Sequence, residues 1–219
     1  MIITTESEAC RDNHFHMDRD TYTSIVERIY DASVDTRLWH DAVAEIGRAF
    51  NSPVSGVFIQ TRNQEYGGGL FDGADPVAID LYEKKYAKIN PWFSTPDLMR
   101  PGRIASDLTL DLLNNNDQFF VNTNFYQLFC KPFDFRHSMG VNLVDDKNNY
   151  LNFTFIRRAN EGGFGEVEER MFRSITPHLM KSVELNMYLE GLKERQVIND
   201  SLLDELSLGV FFADKNGRI

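Results

Sequence analysis

The stretch Ser138–Arg157, SMGVNLVDDKNNYLNFTFIR, decides the fold. Two strand-like runs, Ser138–Val144 and Tyr150–Arg157, flank the polar segment Asp145–Asn149, a layout that predicts an antiparallel hairpin. Working outward, Val54–Thr61 is β-branched and apolar and reads as another strand. Glu65–Phe71 reads as its neighbour, and the glycines Gly67–Gly69 inside it suit a bulge or a close backbone approach. Asp72-Gly73 supplies the turn that follows.

Helices surround these strands. Ile25, Val26, Ile29 and Tyr30 recur at helical spacing in Tyr22–Ala32. Asp35 or Thr36 caps a second helix, whose stripe is Trp39, Val43, Ile46 and Phe50. Asp75 and Pro76 open a third, running through Leu81, Tyr82 and Tyr86 to Ile89, where Asn90-Pro91 breaks it. Trp92 to Asp107 reads as loop, and Leu108–Leu113 and Asn122–Cys130 as short helices. A large helix starts near Gly165-Glu166, and Pro177 is expected to kink or divide it.

Beyond that proline, Leu185, Leu189, Leu192, Gln196, Asn199, Leu203 and Leu206 follow a 4-3 spacing. Two readings stand. The stripe packs on its own domain, or two copies pair along it into a homodimer, with the polar residues fixing register. Residues 208–219 read as a strand, a polar turn and the start of another strand, the expected beginning of a further domain. The resulting division is a disordered leader at 1–18, a main α/β domain at 19–180, a dimerisation helix at 181–207 and the start of that next domain at 208–219.

The chain carries 23 Lys+Arg against 33 Asp+Glu, a net charge of −10, which argues against direct contact with DNA phosphates or an anionic membrane. Two cysteines, Cys10 and Cys130, give no disulfide framework and fit a reducing cytoplasm. No apolar run reaches transmembrane length, and the N-terminus lacks the layout of a signal peptide.

Catalytic and metal motifs are missing from the sequence. Gly67–Gly69 has neither the spacing nor the Lys of a phosphate loop, and no Cys-x-x-Cys pair or Gly-x-Ser-x-Gly elbow occurs. Neither a metal nor a cofactor is expected, and His14 and His16 are read as incidental. Glu168 and Glu169 are expected to face solvent. Cys130, among Phe125, Tyr126, Leu128 and Phe129, reads as a packed thiol rather than a nucleophile. His178 is either bonded across the Pro177 kink or part of a sensing device.

Aromatic residues are the distinctive signal: 17 Phe and 8 Tyr are enough to fill a core and also line a pocket. Tyr82 and Tyr86, four apart, share a helix face, and Trp92 and Phe93 follow in its exit loop. Phe125, Tyr126 and Phe129 group in the same way. Core packing and a ligand pocket both remain open for this group.

Taken in order, these pieces resemble the N-terminal regions of bacterial LuxR-type helix-turn-helix regulators with a GAF- or PAS-like sensor. They are Ile29-Tyr30-Asp31-Ala32 with Leu38-Trp39, Tyr82-x-x-x-Tyr86-x-x-x-Asn90-Pro91-Trp92, Phe125-Tyr126-x-x-Phe129, Arg136-His137-Ser138-Met139-Gly140, Pro177-His178-Leu179, and Leu208-Gly209-Val210. The resemblance implies an α+β fold, an antiparallel sheet flanked by helices with a long C-terminal signalling helix. It also implies that DNA is reached only through a C-terminal domain outside this chain. The acyl-homoserine-lactone sensors usually carry Asp-Pro where this chain has Asn90-Pro91, so a carboxylate acceptor is replaced by a neutral amide and a lactone is not predicted.

The expectation is a non-enzymatic, dimeric, ligand-sensing domain of a transcription regulator. Its candidate ligand contacts are Tyr82, Tyr86, Trp92, Phe93, Phe125, Phe129 and His137. Its candidate dimer contacts are Leu185, Leu189, Leu192, Gln196, Asn199 and Leu203. The alternative is a dimerisation module without a small-molecule ligand.

Overall fold

A computed structural model describes residues 17–145 and 148–205, with the backbone alone from 193 to 205. His14, His16, Cys10, Leu206 and the expected strand–turn segment at 208–219 lie outside the described residues. The protein is α+β, built on a five-stranded antiparallel sheet in the order β2-β1-β5-β4-β3. The strands are β1 (Val54–Thr61), β2 (Tyr66–Asp72), β3 (Ile104–Ser106), β4 (His137–Asp145) and β5 (Asn149–Arg157). The hairpin read from Ser138–Arg157 is β4–β5, paired from His137↔Arg157 to Asp145↔Tyr150. β5 also pairs with β1 over its whole length, so the hairpin forms the centre of the sheet.

The glycine run in β2 does produce an irregularity. Register slips between Phe58 and Gln60 of β1, and Gly68 takes φ +107°, a conformation that a side chain would strain. β3 is a correction to the loop expected at Trp92–Asp107. Three residues, Ile104–Ser106, pair with Val141, Gly140 and Met139 at the sheet edge. So short a run has no period of its own, and tertiary pairing alone makes it a strand.

One face of the sheet is sealed by α1 (Arg19–Val34), α2 (Trp39–Ala49) and α6 (Glu166–Glu205). Asp18 caps α1 by accepting from the Thr21 amide at 2.7 Å, and Met17 is already buried in the core. The sheet contributes Met139, Val141, Leu143, Phe153 and Phe155, and the helices Ile25, Ile29, Val43, Ile46, Phe172, Ile175 and Leu179. Phe155 stacks on Phe50 at 4.6 Å and meets Phe172 edge-on at 4.8 Å. Burying each such side chain stabilises by about 1.5–3 kcal/mol.

Polar contacts as well as apolar ones tie α6 to this body. Buried Arg157, at the end of β5, donates to the carbonyls of Phe50, Asn51 and Gly163 and to Glu168 Oε1 at 3.0 Å, with Phe164 against its guanidinium. Glu168 therefore does not face solvent as expected: a charge from another element claims it, which helix position alone does not show. His178 stands between Tyr22 and Tyr30 of α1, with Nε2 3.3 Å and Nδ1 3.2 Å from their hydroxyls. It joins two helices rather than bridging a kink.

Pro177 does not divide α6, which is one assigned helix of 40 residues. The proline and Arg173 are both exposed, so the carbonyl that loses its amide partner lies on the solvent side. The body-facing stripe around Phe172, Ile175, Leu179 and Val183 continues through the proline. The stripe of Leu185, Leu189 and Leu192 lies about 120° away round the helix at about 100° per residue. Leu185 and Leu189 are half-buried and Leu192 is exposed. Gln196, Asn199 and Leu203 fall on the helix where the backbone alone is described.

Candidate functional site

The opposite face of the sheet carries small or polar side chains along its central row, with larger apolar ones beside them. Hydrogen-bonded pairing lines up Gly56, Thr154, Gly140 and Ala105 in one row across β1, β5, β4 and β3. The next row holds Phe58, Asn152 and Asn142, and the row on the other side Val54, Ile156 and Ser138. Strand alternation requires this pattern: while Met139, Val141 and Leu143 point to the sealed core, Ser138, Gly140 and Asn142 point away from it. Gly140 keeps the floor low, since a Cβ there would lie 2.9 Å from the Phe153 carbonyl oxygen.

Above this floor sit α3 (Pro76–Leu81), α4 (Asp107–Leu113), α5 (Phe119–Asn122) and two single π-turns, Tyr82–Tyr86 and Tyr126–Cys130. α3 starts as expected, with Asp75 Oδ1 accepting from the Val77 amide at 2.8 Å and Pro76 in the first turn. The helix expected over Asn122–Cys130 is instead split at Thr123, whose ψ of 150° leaves the helical region. These segments and the sheet line a partly open cavity of about 140 Å³.

Six of the seven predicted ligand contacts line this cavity: Tyr82, Trp92, Phe93, Phe125, Phe129 and His137. Tyr86 is not in the lining. It is buried behind Phe129, stacked at 5.2 Å, while Tyr82 meets the same ring at 5.6 Å. The π-turn between the two tyrosines spaces them differently from an α-helix, so a four-residue interval does not put both at the cavity. Phe58, Phe120 and the floor residues were not anticipated. The signal for the floor was present in Ser138-x-Gly140-x-Asn142, where small and polar residues alternate with large apolar ones.

Two polar groups at the site are internally satisfied. Gln60 Nε2 donates to the Ala87 carbonyl (3.2 Å), Tyr82 Oη donates to Gln60 Oε1 (2.9 Å), Asn90 Nδ2 donates to Tyr82 Oη (2.9 Å), and Asn90 Oδ1 accepts the Trp92 amide (3.2 Å). Desolvation holds the Tyr82 phenol far above its ordinary range, so it stays a neutral donor. Buried Asp107 accepts from Arg136 Nη1 and the Ser138 amide and bonds His137 Nδ1, each at 3.2 Å. His137 therefore meets the cavity with its ring already anchored. Cys130 also lines the cavity, and burial pushes its thiol upward, away from the thiolate that nucleophilic chemistry needs.

Two polar atoms of the lining are different. Ser138 Oγ and Asn142 Oδ1 are buried without a hydrogen-bond partner among the described residues. Asn142 is 1% exposed, and its Nδ2 donates to the Met99 carbonyl at 2.6 Å.

No family model matches the chain, and no curated protein matches it in sequence. Solved structures share its fold. The VqsR LBD domain from Pseudomonas aeruginosa aligns with TM-score 0.58 and 15% identity, over 76% of this chain and 96% of that one. CepR2 from Burkholderia cenocepacia, an N-acylhomoserine lactone dependent LuxR family transcription factor, aligns with TM-score 0.56 and 12% identity over the same shares. A GAF domain/HD domain protein from Geobacter sulfurreducens aligns with TM-score 0.46 and 11% identity, over 78% of this chain and 99% of that one. The chain shares its fold with the VqsR and CepR2 structures.

Proposed function

We propose that this chain is the ligand-sensing, dimerising part of a cytoplasmic LuxR-type transcription regulator, which reaches DNA through a separate domain. The observation that carries the reading is the cavity: aromatic walls, a floor of small residues and, on two of its lining residues, buried polar atoms without a partner among the described residues. The fold shared with the VqsR and CepR2 domains supports it. Tyr82, Trp92, Phe93, Phe125, Phe129 and His137 form the ligand's walls, and Tyr86 braces Phe129 from behind. The Tyr82–Gln60–Asn90 chain holds the roof to the sheet. A ligand that favours one packing of the roof shifts the arrangement of the body, and α6 carries that shift outward.

Dimerisation rests on the α6 stripe of Leu185, Leu189 and Leu192, which lies off the core-facing stripe and continues in sequence to Gln196, Asn199 and Leu203. Among the described residues no helix is long and apolar enough to cross a membrane. Native mass spectrometry of the purified chain tests both halves of the proposal. A retained small molecule on a dimer is the expected result. A dimer that never takes up a small molecule, even from a cell extract, would instead make the chain a plain interaction module. Sedimentation as a monomer at high concentration, unchanged by Leu192→Glu, would remove the dimer.

A further inference from the structure

We propose that the cavity selects a flat, largely apolar, non-cationic molecule carrying one O–H or N–H donor, and that Asn142 is the residue that selects it. The inference rests on the cavity being a ligand site, and it adds what the ligand must look like. Size comes first. The volume of about 140 Å³ is close to that of an engineered cavity of roughly 150 Å³ that holds benzene. A single ring or a small fused pair matches that space and the aromatic walls.

Hydrogen-bonding capacity comes second. The Tyr82–Gln60–Asn90 chain is closed on itself and leaves the ligand no obvious call on it. The unpartnered polar atoms of the lining are on β4. Ser138 Oγ can donate or accept, so it discriminates little. An amide oxygen accepts and nothing else, so Asn142 Oδ1 requires a donor. Its orientation is not interchangeable with the amide nitrogen, because a flip would put oxygen against the Met99 carbonyl oxygen at 2.6 Å. Asn142 is two residues from Gly140 on the same face, about 6.6 Å along the strand. A ring lying on the Gly140–Thr154 floor thus brings a substituent to Asn142.

Charge comes third. The cavity lining contains no Asp or Glu, so an ammonium donor would be buried unpaired. Arg103 and Arg136 also reach the lining, so an anionic group elsewhere on the ligand would meet a positive charge. A hydroxyl or an indole-type or amide-type N–H supplies the donor without a positive charge.

The test uses matched probes on the full 219-residue chain: phenol against anisole, and indole against N-methylindole. Each pair differs in the donor while keeping the ring. Affinity is followed by NMR through the Gly140 amide and the Asn142 side-chain amide. The expected result is at least tenfold tighter binding of each donor-bearing probe, with both Asn142 side-chain signals shifting. Asn142→Leu, where it folds, is expected to bring the members of each pair to within threefold of one another. Equal affinities within each pair on the unaltered protein overturn the role of Asn142 but leave the cavity as a binding site. No binding by any of the four probes overturns both this inference and the ligand-binding reading beneath it.

Discussion

The two faces of the sheet are made of similar materials and behave differently. The helix-covered face buries Phe50, Phe153, Phe155 and Phe172 with no exposed area, and their rings interlock at 4.6–6.0 Å. The other face is at least as rich in rings, with Phe58, Tyr82, Trp92, Phe93, Phe120, Phe125 and Phe129, yet it retains a cavity. The difference lies in what the sheet itself offers. Toward α1, α2 and α6 it presents Met139, Val141, Leu143, Phe153 and Phe155, which reach the helices and fill the gap. Toward the cavity its central row is Thr154, Gly140 and Ala105, which do not, and only the flanking rows carry Phe58, Val54 and Ile156. Aromatic content alone does not separate a core from a pocket; the size of the opposing side chains does.

Equivalent truncations on the two faces sharpen this contrast most. Phe155→Ala removes a fully buried ring from the sealed face and is expected to cost about 3–5 kcal/mol. Phe93→Ala removes a half-buried ring beside existing space, and is expected to cost less than half as much. Urea denaturation of the two variants measures both. Similar losses would mean that the faces are packed alike and would break the comparison.

A smaller effect comes from the closed polar chain. Tyr82→Phe keeps the ring but leaves Gln60 Oε1 and Asn90 Nδ2 without their shared partner, an expected loss of about 1–3 kcal/mol. Double-mutant cycles with Gln60→Leu should show that the two losses are not additive, because they break the same chain.

The two faces also differ in pH response. Burial raises Cys130 above the ordinary thiol value of 9.0 and Tyr82 above the ordinary phenol value of 10.0. Above those values the unfolded chain sheds protons that the folded chain keeps. Stability is therefore fully present below about pH 9 and falls as pH rises. Each group steepens the decline by up to about 1.4 kcal/mol per pH unit. Cys130→Ala is expected to flatten the first part of that decline, measured as the urea midpoint between pH 8 and pH 11. An unchanged slope would mean that the thiol is not desolvated, and that the roof is more open than the cavity geometry implies.

Several parts of the fold were legible from local sequence alone. The β4–β5 hairpin followed from two strand runs around a polar turn, and α3 from an Asp cap with Pro behind it. Tyr82, Phe125 and Phe129 of the cavity lining were legible too, as aromatic clusters on predicted helices, and Trp92 and Phe93 as their neighbours in an exit loop. Other features were not. β3 is three residues whose strand state depends on β4. The π-turn that separates Tyr82 from Tyr86 at the cavity leaves no periodic trace. Glu168 was assigned to solvent because its partner, Arg157, lies on another element.

By itself the sequence determined which segments are strands and helices and which faces are apolar, because alternation and helical periodicity are properties of neighbouring residues. The tertiary structure alone decided that Gly56, Thr154, Gly140 and Ala105 form one row, and that Asn142 Oδ1 is left open above it. Those residues come from four separate strands, and no local rule brings them together. Pairing register does so, and register is a property of the folded sheet.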